Sequence, residues 1–352
     1  MFLKRRFARK GVLLASASIL AVMLATGEAG ASDLPTTKGP AIFKEPPPAD
    51  QWTVSIMGGY SLAPGSDPAI GPIPFGGLAP GPGWIAGALI DYAPASLTPY
   101  HFSADFRYGQ NSRGGTAFSR GPFGINLVQP TPTAFTGPAV VNATGASSLL
   151  EDHWLADFAV GRDFALGSGH VQAKVGVRVA EITSTLTGNG SLAGCFATAV
   201  ITPACATPVT GKLAFQSRSR FLGVGPRVGV DGSQPIAGQW TFDYMGGAAV
   251  LFGRRSLSAS ELLSGINATT FFGTKHPERN ISASLYAADN AAVFNLDAQA
   301  GISYWINPNF KITGAYLFDG YFNALKVLDA NGNIVNQNRF YNGPILSATM
   351  HF

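Results

Sequence analysis

The C-terminal stretch Pro344-Ile-Leu-Ser-Ala-Thr-Met-His-Phe352 alternates strictly between two sets of residues. The even-numbered positions hold Pro, Leu, Ala, Met and Phe, and the odd-numbered positions between them hold Ile, Ser, Thr and His. Successive side chains of a β-strand point to opposite faces, so a period of two gives the strand one face for lipid and another for an enclosed lumen. The stretch therefore predicts a transmembrane β-strand.

The two ends of the chain agree on the compartment. Basic residues at 4–10 precede the apolar segment Gly11–Leu24, and Ala29-Gly30-Ala31 offers a cleavage site, so residues 1–31 are predicted to be a secretory signal peptide. Residues 32–50 are rich in proline and are predicted to form an extended periplasmic arm before a barrel over 51–352. A terminal aromatic such as Phe352 resembles the assembly signal of bacterial outer-membrane barrels, which implies the barrel-assembly machinery as a partner.

The charge balance supports a membrane barrel and excludes nucleic acid as a partner. The whole chain has 24 basic and 20 acidic residues, and removing the five basic and one acidic residues of 1–31 leaves 19 of each. Charged residues make up 12% of the chain, about half of the average for soluble proteins. The mature chain is therefore formally neutral and poor in charge, as a lipid-facing protein should be.

Ten alternating segments predict the strands, and the connections between them alternate between short and long. Short periplasmic turns and long outer loops are typical of outer-membrane barrels, and the even strand number places both termini on the periplasmic side. The predicted long loops are Gln110–Asp152, Thr183–Arg220 and Gly253–Val293, of which the first is long enough for two further strands. In the third, Ser258 and Glu261 resemble a capping box that opens a short helix. The predicted strands are Gln51–Tyr60, Trp84–Tyr92, Tyr100–Gly109, His153–Phe164, His170–Ile182, Phe221–Asp231, Gln239–Phe252, Phe294–Ile306, Phe310–Asp319 and a tenth that ends at Phe352.

The predicted fold class is all-β, a transmembrane antiparallel β-barrel of about ten strands, within a range of eight to twelve. A soluble β-sandwich is the alternative, and it would normally carry more surface charge. The predicted location is the bacterial outer membrane, with outer-membrane lipid and lipopolysaccharide as neighbours. The oligomeric state is left open.

Three stretches in the second half carry a resemblance to a known family. They are Phe221-Leu-Gly-Val-Gly-Pro-Arg-Val-Gly-Val-Asp231, Asn295-Leu-Asp-Ala-Gln-Ala-Gly-Ile-Ser-Tyr304 and Lys311-Ile-Thr-Gly-Ala-Tyr316. They resemble the Legionella-type major outer-membrane-protein family of pore-forming barrels. The resemblance implies an integral outer-membrane barrel that forms a pore, and it supplies no catalytic residues.

The charged residues on the inward parity of the strands are the candidate functional residues. Charges at these positions must avoid lipid, so they either pair with one another or line water. Eight strands leave a barrel just filled by side chains and sixteen leave a channel, so about ten strands predict a narrow lumen, either filled or conducting. The resemblance favours passive passage of small polar solutes or ions, and a structural or adhesive barrel with a filled lumen is the alternative. The predicted pore-lining residues are Asp105, Arg107, Asp157, Lys174, Arg178, Arg227, Asp243, Asp297, Lys311 and Asp319.

Two further pairs have predicted roles outside the lumen. Cys195 and Cys205 lie ten positions apart in a predicted outer loop, where an oxidising compartment favours a local disulfide. Arg218 and Arg220 fall on the lipid-facing parity just above the sixth strand, where guanidinium groups suit lipid phosphates. A β-bulge that turns both arginines inward is the alternative.

No motif predicts an enzyme, a cofactor or a metal. Outer-membrane proteases with ten strands need an acid–histidine pair at the outer rim, and Glu151-Asp152-His153 is the candidate for it here. No partner motif accompanies this triplet, and the sequence has no phosphate loop, metal-ligand cluster or serine nucleophile motif.

Overall fold

The computed structural model describes residues 50–63, 78–126, 138–166, 169–196, 208–268, 279–328 and 333–352. These residues form ten β-strands and one short 3₁₀-helix, Ala95–Leu97, and none of the described helical structure is long enough to cross a membrane. The predicted signal peptide and nearly all of the predicted arm lie outside the described residues. The strands are β1 Gln51–Ser61, β2 Gly83–Ala93, β3 Tyr100–Asn126, β4 Pro138–Leu166, β5 Gly169–Phe196, β6 Pro208–Ala237, β7 Trp240–Ala268, β8 Arg279–Asn307, β9 Phe310–Leu328 and β10 Ile334–His351.

Each described strand pairs antiparallel with its neighbours in sequence, and β1 pairs with β10 to close the barrel. The closing register sets Val54 opposite Met350. Beyond it, the backbone N–H of Phe352 donates to the carbonyl of Trp52 at 2.9 Å and the N–H of Trp52 donates back at 3.2 Å. The predicted antiparallel barrel of about ten strands is confirmed, and closure leaves no free sheet edge in the membrane-spanning part of the described chain.

The outward face carries an apolar band around the barrel. On β5 it runs from Val171 to Val179, and on β6 from Leu222 to Val230. Large apolar side chains such as Phe106, Phe158 and Leu346 are exposed there. Cross-strand aromatic pairs mark both borders of the band, as in the interfacial girdles of membrane barrels: Trp52 with Tyr92, Trp240 with Tyr304, and Trp84 with Tyr108.

Most of the sequence that was predicted to form long outer loops continues the ladder instead. Strands β3 to β8 contain 27 to 30 residues each. At the usual rise and tilt they form a barrel wall roughly 75 Å tall, of which the apolar band covers only about 25 Å. The described residues of the region that was long enough for two further strands extend β3 and β4, so the described barrel has ten strands, within the predicted range. Ser258 and Glu261 lie inside β7, so the predicted helix is wrong. Above the band the outward face becomes rich in Ser, Thr and Ala, whereas the inward face keeps buried apolar side chains such as Leu213, Phe215 and Leu257. The outward apolar pattern therefore ends while the strand ladder continues.

Candidate functional site: the barrel interior

The structure places all ten predicted pore-lining residues on the inward face of the barrel. Seven of them meet in one cross-section that we call the central charge layer, and the other three belong to ion pairs nearer the periplasmic end. The central charge layer consists of Asp105, Arg107, Asp157, Arg178, Arg227, Asp297 and Asp319.

Arg178 is the centre of this layer and its side chain is 0% exposed. Its Nε and Nη2 donate to the two carboxylate oxygens of Asp157, at 2.6 and 2.5 Å. Its Nη1 donates to Asp297 Oδ1 at 2.7 Å and also to the side-chain oxygen of Asn295. The guanidinium is therefore held bidentately on one side and by a second carboxylate on the other, which is the strong geometry for buried arginine.

Asp297 joins three arginines of the layer. Besides Arg178 it faces Arg107 Nη2 at 3.2 Å and Arg227 Nη2 at 3.6 Å. Arg227 also reaches Asp157 through its Nε at 3.0 Å. Arg107 is on β3 and Asp297 is on β8, and these strands are separated by four strands in either direction around the ring. The Arg107–Asp297 pair therefore spans the full width of the lumen.

A glycine on the inward face makes room for this layer. A Cβ at Gly247 would lie 2.6 Å from Asp297 Oδ1 and 3.0 Å from Arg227 Nη2, closer than real Cβ contacts allow. Gly247 is the register partner of Asp297 on the neighbouring strand β7. A side chain at this position would therefore displace the Asp297 carboxylate from its present place between the arginines.

The periplasmic end of the interior holds a second, more open set of ion pairs. Lys311 Nζ donates to Asp243 Oδ2 at 2.5 Å, and Lys174 pairs with Asp231. Both partners of the Lys311–Asp243 pair keep about 15% exposure. Water therefore reaches this entrance. In the central charge layer it reaches Asp105, whose side chain is 16% exposed, but not Arg178 or Asp297.

An apolar layer fills the interior above the charges. It is contributed by β4 to β10, and its members are at most 2% exposed. Phe221, Tyr321 and Tyr341 are its largest side chains. Tyr321 connects the two layers, because its hydroxyl donates to Asp319 at 3.1 Å. The members of the layer are Leu155, Ala180, Ile182, Phe221, Ala249, Leu251, Val293, Tyr321, Ala324, Leu325 and Tyr341.

A further buried ion pair borders the apolar layer. Arg339 Nε donates to Glu151 Oε2 at 2.7 Å, and the Tyr341 hydroxyl donates to Glu151 Oε1 at 2.7 Å. The ring of His153 stacks on Tyr341, with centroids 3.6 Å apart and planes at 11°. Gly109 allows this stack, because a Cβ there would lie 2.4 Å from the His153 ring.

Sequence reasoning missed Glu151, Arg339 and Tyr341 as interior residues. The signal was present: continuing the parity of the fourth and tenth segments toward the outside puts all three on the inward face. Because the predicted strands began at His153 and Pro344, the residues just beyond those ends were assigned to loops.

The remaining candidates lie away from the interior layers. Arg218 and Arg220 point outward and are exposed, and the β6 ladder is regular through both, so no bulge turns them inward. Asp152 faces outward and accepts from Tyr108, whereas His153 faces inward, so the two do not form an acid–histidine pair. Cys205 and the side chain of Cys195 lie outside the described residues, so the disulfide stays a prediction.

No three His, Cys, Asp or Glu side chains of the described part of the chain come together in a way that could hold a metal ion. The charged interior groups are instead neutralised by one another. The chemistry of the described interior is therefore ion pairing and packing.

Comparison with solved structures returns bacterial outer-membrane barrels. The Escherichia coli outer membrane protease OmpT is 13% identical, with 87% of this chain and 97% of that chain covered and a TM-score of 0.42. A major outer membrane protein from Thermus thermophilus is 10% identical, with 86% and 100% covered and a TM-score of 0.24. The Pseudomonas putida toluene transporter TodX is 10% identical, with 87% and 91% covered and a TM-score of 0.21. No curated protein matches the sequence.

The family model described as "Legionella pneumophila major outer membrane protein precursor" matches residues 97–352. The match includes the three stretches that carried the resemblance and extends forward to the start of β3. It agrees with the closed barrel and its apolar band in placing the protein in the outer membrane as an integral barrel. The chain belongs to the Legionella pneumophila major outer membrane protein family.

Proposed function

We propose that this protein is a sealed structural barrel of the outer membrane, which presents its tall outer part at the cell surface and carries no catalytic activity. The observation behind the proposal is that interior ion pairs join strands on opposite sides of the barrel. Arg107 on β3 reaches Asp297 on β8, and Arg339 on β10 reaches Glu151 on β4.

Burial supports a sealed lumen at two successive heights. In the central charge layer Arg178 is 0% and Asp297 1% exposed, so a water-sized sphere does not reach them. Above it, the apolar layer presents no polar path around Phe221, whose exposed fraction is 0%. An ion in transit would have to break buried ion pairs and then shed its hydration shell in an apolar section, and both steps are costly.

The proposal is tested by measuring the ion conductance of the purified full-length protein in a planar bilayer. The sealed barrel should add no steady current at high salt. A variant that removes large side chains at both heights, Arg178→Ser together with Phe221→Ser, Tyr321→Ser and Tyr341→Ser, should leak, provided that its heat-modifiable mobility in gels shows it to be folded. Steady, long-lived channels from the unmodified protein would overturn the proposal.

A gated pore is the second candidate, and the sharing of partners in the central charge layer favours it. Asp297 faces three arginines and Asp157 faces two, so the layer has alternative pairings of similar geometry. Exchange among them, together with side-chain movement in the apolar layer above, would open a path for small ions without exposing an unpaired charge. The pore predicted from the sequence would then be a gated one, which passes solutes only while the central charge layer is rearranged.

The same bilayer recording separates the two candidates. A gated pore should show brief openings of the unmodified protein, with an open fraction that changes in Asp297→Asn because one shared carboxylate is neutralised. Recordings without any opening in either protein, at equal amounts of folded barrel, would leave the sealed barrel and eliminate the gated pore.

A further inference from the structure

A cluster of exposed arginines lies on the outward face of the barrel, directly above the apolar band. Arg218 and Arg220 are on β6 and Arg254 is on β7. Register places Arg220 opposite Ser256 and Arg254 opposite Leu222, so Arg220 and Arg254 are diagonal neighbours about 7–8 Å apart at the backbone. Arg218 follows two residues along the same face, so all three guanidinium groups reach one patch of surface.

The row of outward residues beneath the cluster is entirely apolar. It consists of Val179 on β5, Val224 on β6 and Phe252 on β7, which are register neighbours. Val224 and Phe252 are exposed to the surroundings of the barrel. The arginines therefore sit at the level where the acyl chains of the outer leaflet end and its headgroups begin.

The cluster has more positive charge than its surroundings neutralise. Glu181 on β5 is the carboxylate that faces it, and it accepts from Arg220 Nε at 2.6 Å. Arg254 donates to the hydroxyl of Tyr286 at 3.1 Å, which offers no charge. Among the described residues, Arg218 has no ion-pair or hydrogen-bond partner.

From this geometry we infer that Arg218, Arg220 and Arg254 bind the phosphate groups of a phosphorylated glycolipid in the outer leaflet. Guanidinium groups hold phosphate oxygens bidentately, and the exposed apolar row below them receives the acyl chains of the same molecule. A free phosphate ion would bind the arginines but has no acyl chain to contact the apolar row. The hydroxyls of Thr183, Thr185 and Ser256 around the arginines suit the sugar part of the headgroup.

The test is titration calorimetry of the full-length protein, refolded in zwitterionic detergent, with diphosphoryl lipid A. The variant Arg218→Gln/Arg220→Gln/Arg254→Gln should raise the dissociation constant by about tenfold or more. Lys212→Gln is the matched control, because Lys212 is exposed on the outward face of β6 further from the membrane, and it should change the constant by less than about twofold. Equal binding by the triple variant and the unmodified protein would overturn the inference.

Two further arms identify the source of the phosphate. Dephosphorylated lipid A should bind far more weakly than the diphosphoryl form. Equal binding of the two would show that the arginines do not recognise the phosphate groups. Millimolar inorganic phosphate should leave lipid A bound, whereas full displacement would assign the cluster to a free anion and overturn the lipid. If the triple variant fails to fold, Arg218→Gln alone gives the same comparison, because this side chain has no described partner to lose.

Discussion

Replacing Asp297 by asparagine is the sharpest perturbation of the central charge layer. The substitution keeps the shape of the side chain and removes the charge that faces Arg107, Arg178 and Arg227 at 3.2, 2.7 and 3.6 Å. Because the side chain is 1% exposed, water cannot replace the lost carboxylate. Removing one partner of a buried ion pair typically costs about 3–5 kcal/mol, so we expect the free energy of unfolding to fall by about that amount.

The assay is urea unfolding of the refolded protein in detergent, followed by tryptophan fluorescence, with Glu181→Gln as the control. Glu181 also loses a carboxylate–arginine pair, but its partner Arg220 is 46% exposed, so the expected cost is about 0–1 kcal/mol. Adding Arg107→Gln to Asp297→Asn should cost less than the sum of the single effects, because the two side chains face each other. Equal losses in Asp297→Asn and Glu181→Gln would refute the idea that a buried layer stabilises the interior.

Four other predictions test the membrane face, the closing strand, the outer tip and the outer interior. Ala298→Arg puts a charge on the lipid face and should lower the free energy of unfolding by roughly 2–4 kcal/mol in the same urea assay, with Ala298→Ser as the neutral control. Phe352→Ala removes a 63% exposed lipid-facing ring beside the closing strand pair and should lower the amount of heat-modifiable barrel in outer membranes, whereas unchanged levels would count against an assembly role. Cys195 and Cys205 should form a disulfide worth on the order of 2–3 kcal/mol to the outer tip, and free thiols in mass spectra of the extracted protein would disprove it. Glu261 lies in the outer part of β7, beyond the membrane, and burial raises the pKa of its carboxyl group from 4.5 to about 7. Its ionisation therefore opposes folding as the pH rises above 4.5. In urea unfolding, Glu261→Gln should increase stability at pH 8 and leave it unchanged at pH 4.

The membrane-spanning part of the fold could be predicted because lipid imposes a pattern on the sequence. Outside the barrel every second residue must be apolar, and Leu346, Phe106 and Val224 obey this rule. The same parity fixed the inward direction of Arg107 and Asp297, since a slip of one residue would put both into hydrocarbon. The outer part of the strands has no lipid around it, and there the apolar side chains lie on the inward face instead: in Ser256–Ser260 the buried residues are Leu257 and Ala259, and the serines face outward.

Parity gives the direction of a side chain and gives neither its height in the lumen nor its partner. Arg178 binds Asp157 on the adjacent strand and Asp297 three strands away, at sequence separations of 21 and 119. Those partners depend on the closure of the ring, the stagger of the strands and the reach of a flexible guanidinium. This is why the sequence left open whether the lumen is filled or conducting, and why the ion pairs across the barrel decide the proposal.

The unequal lengths of the strands explain why an ion pair sits at the outer edge of the apolar layer. β1 and β2 contain 11 residues each, so among the described residues the ladder between β3 and β10 ends just beyond the bridge of Leu62 with Asn342. Asn111 on β3 binds the described residues that border this point, because its Nδ2 donates to the carbonyls of Ser61 and Gly81 at 3.1 and 2.9 Å.

Arg339 and Glu151 join β10 to β4 at this height, and Asn111 is the register partner of Glu151. The pair therefore links β4 and β10 beyond the last described pairing between β1 and β10, which is Leu62 with Asn342. Because both side chains are 0% exposed, the link also closes the interior to water from the cell surface. In a barrel with ten equally tall strands the ladder alone would hold β4 and β10 in place. Here an ion pair in the interior also holds these strands together. This gives a physical reason for a filled lumen that does not depend on any transport role.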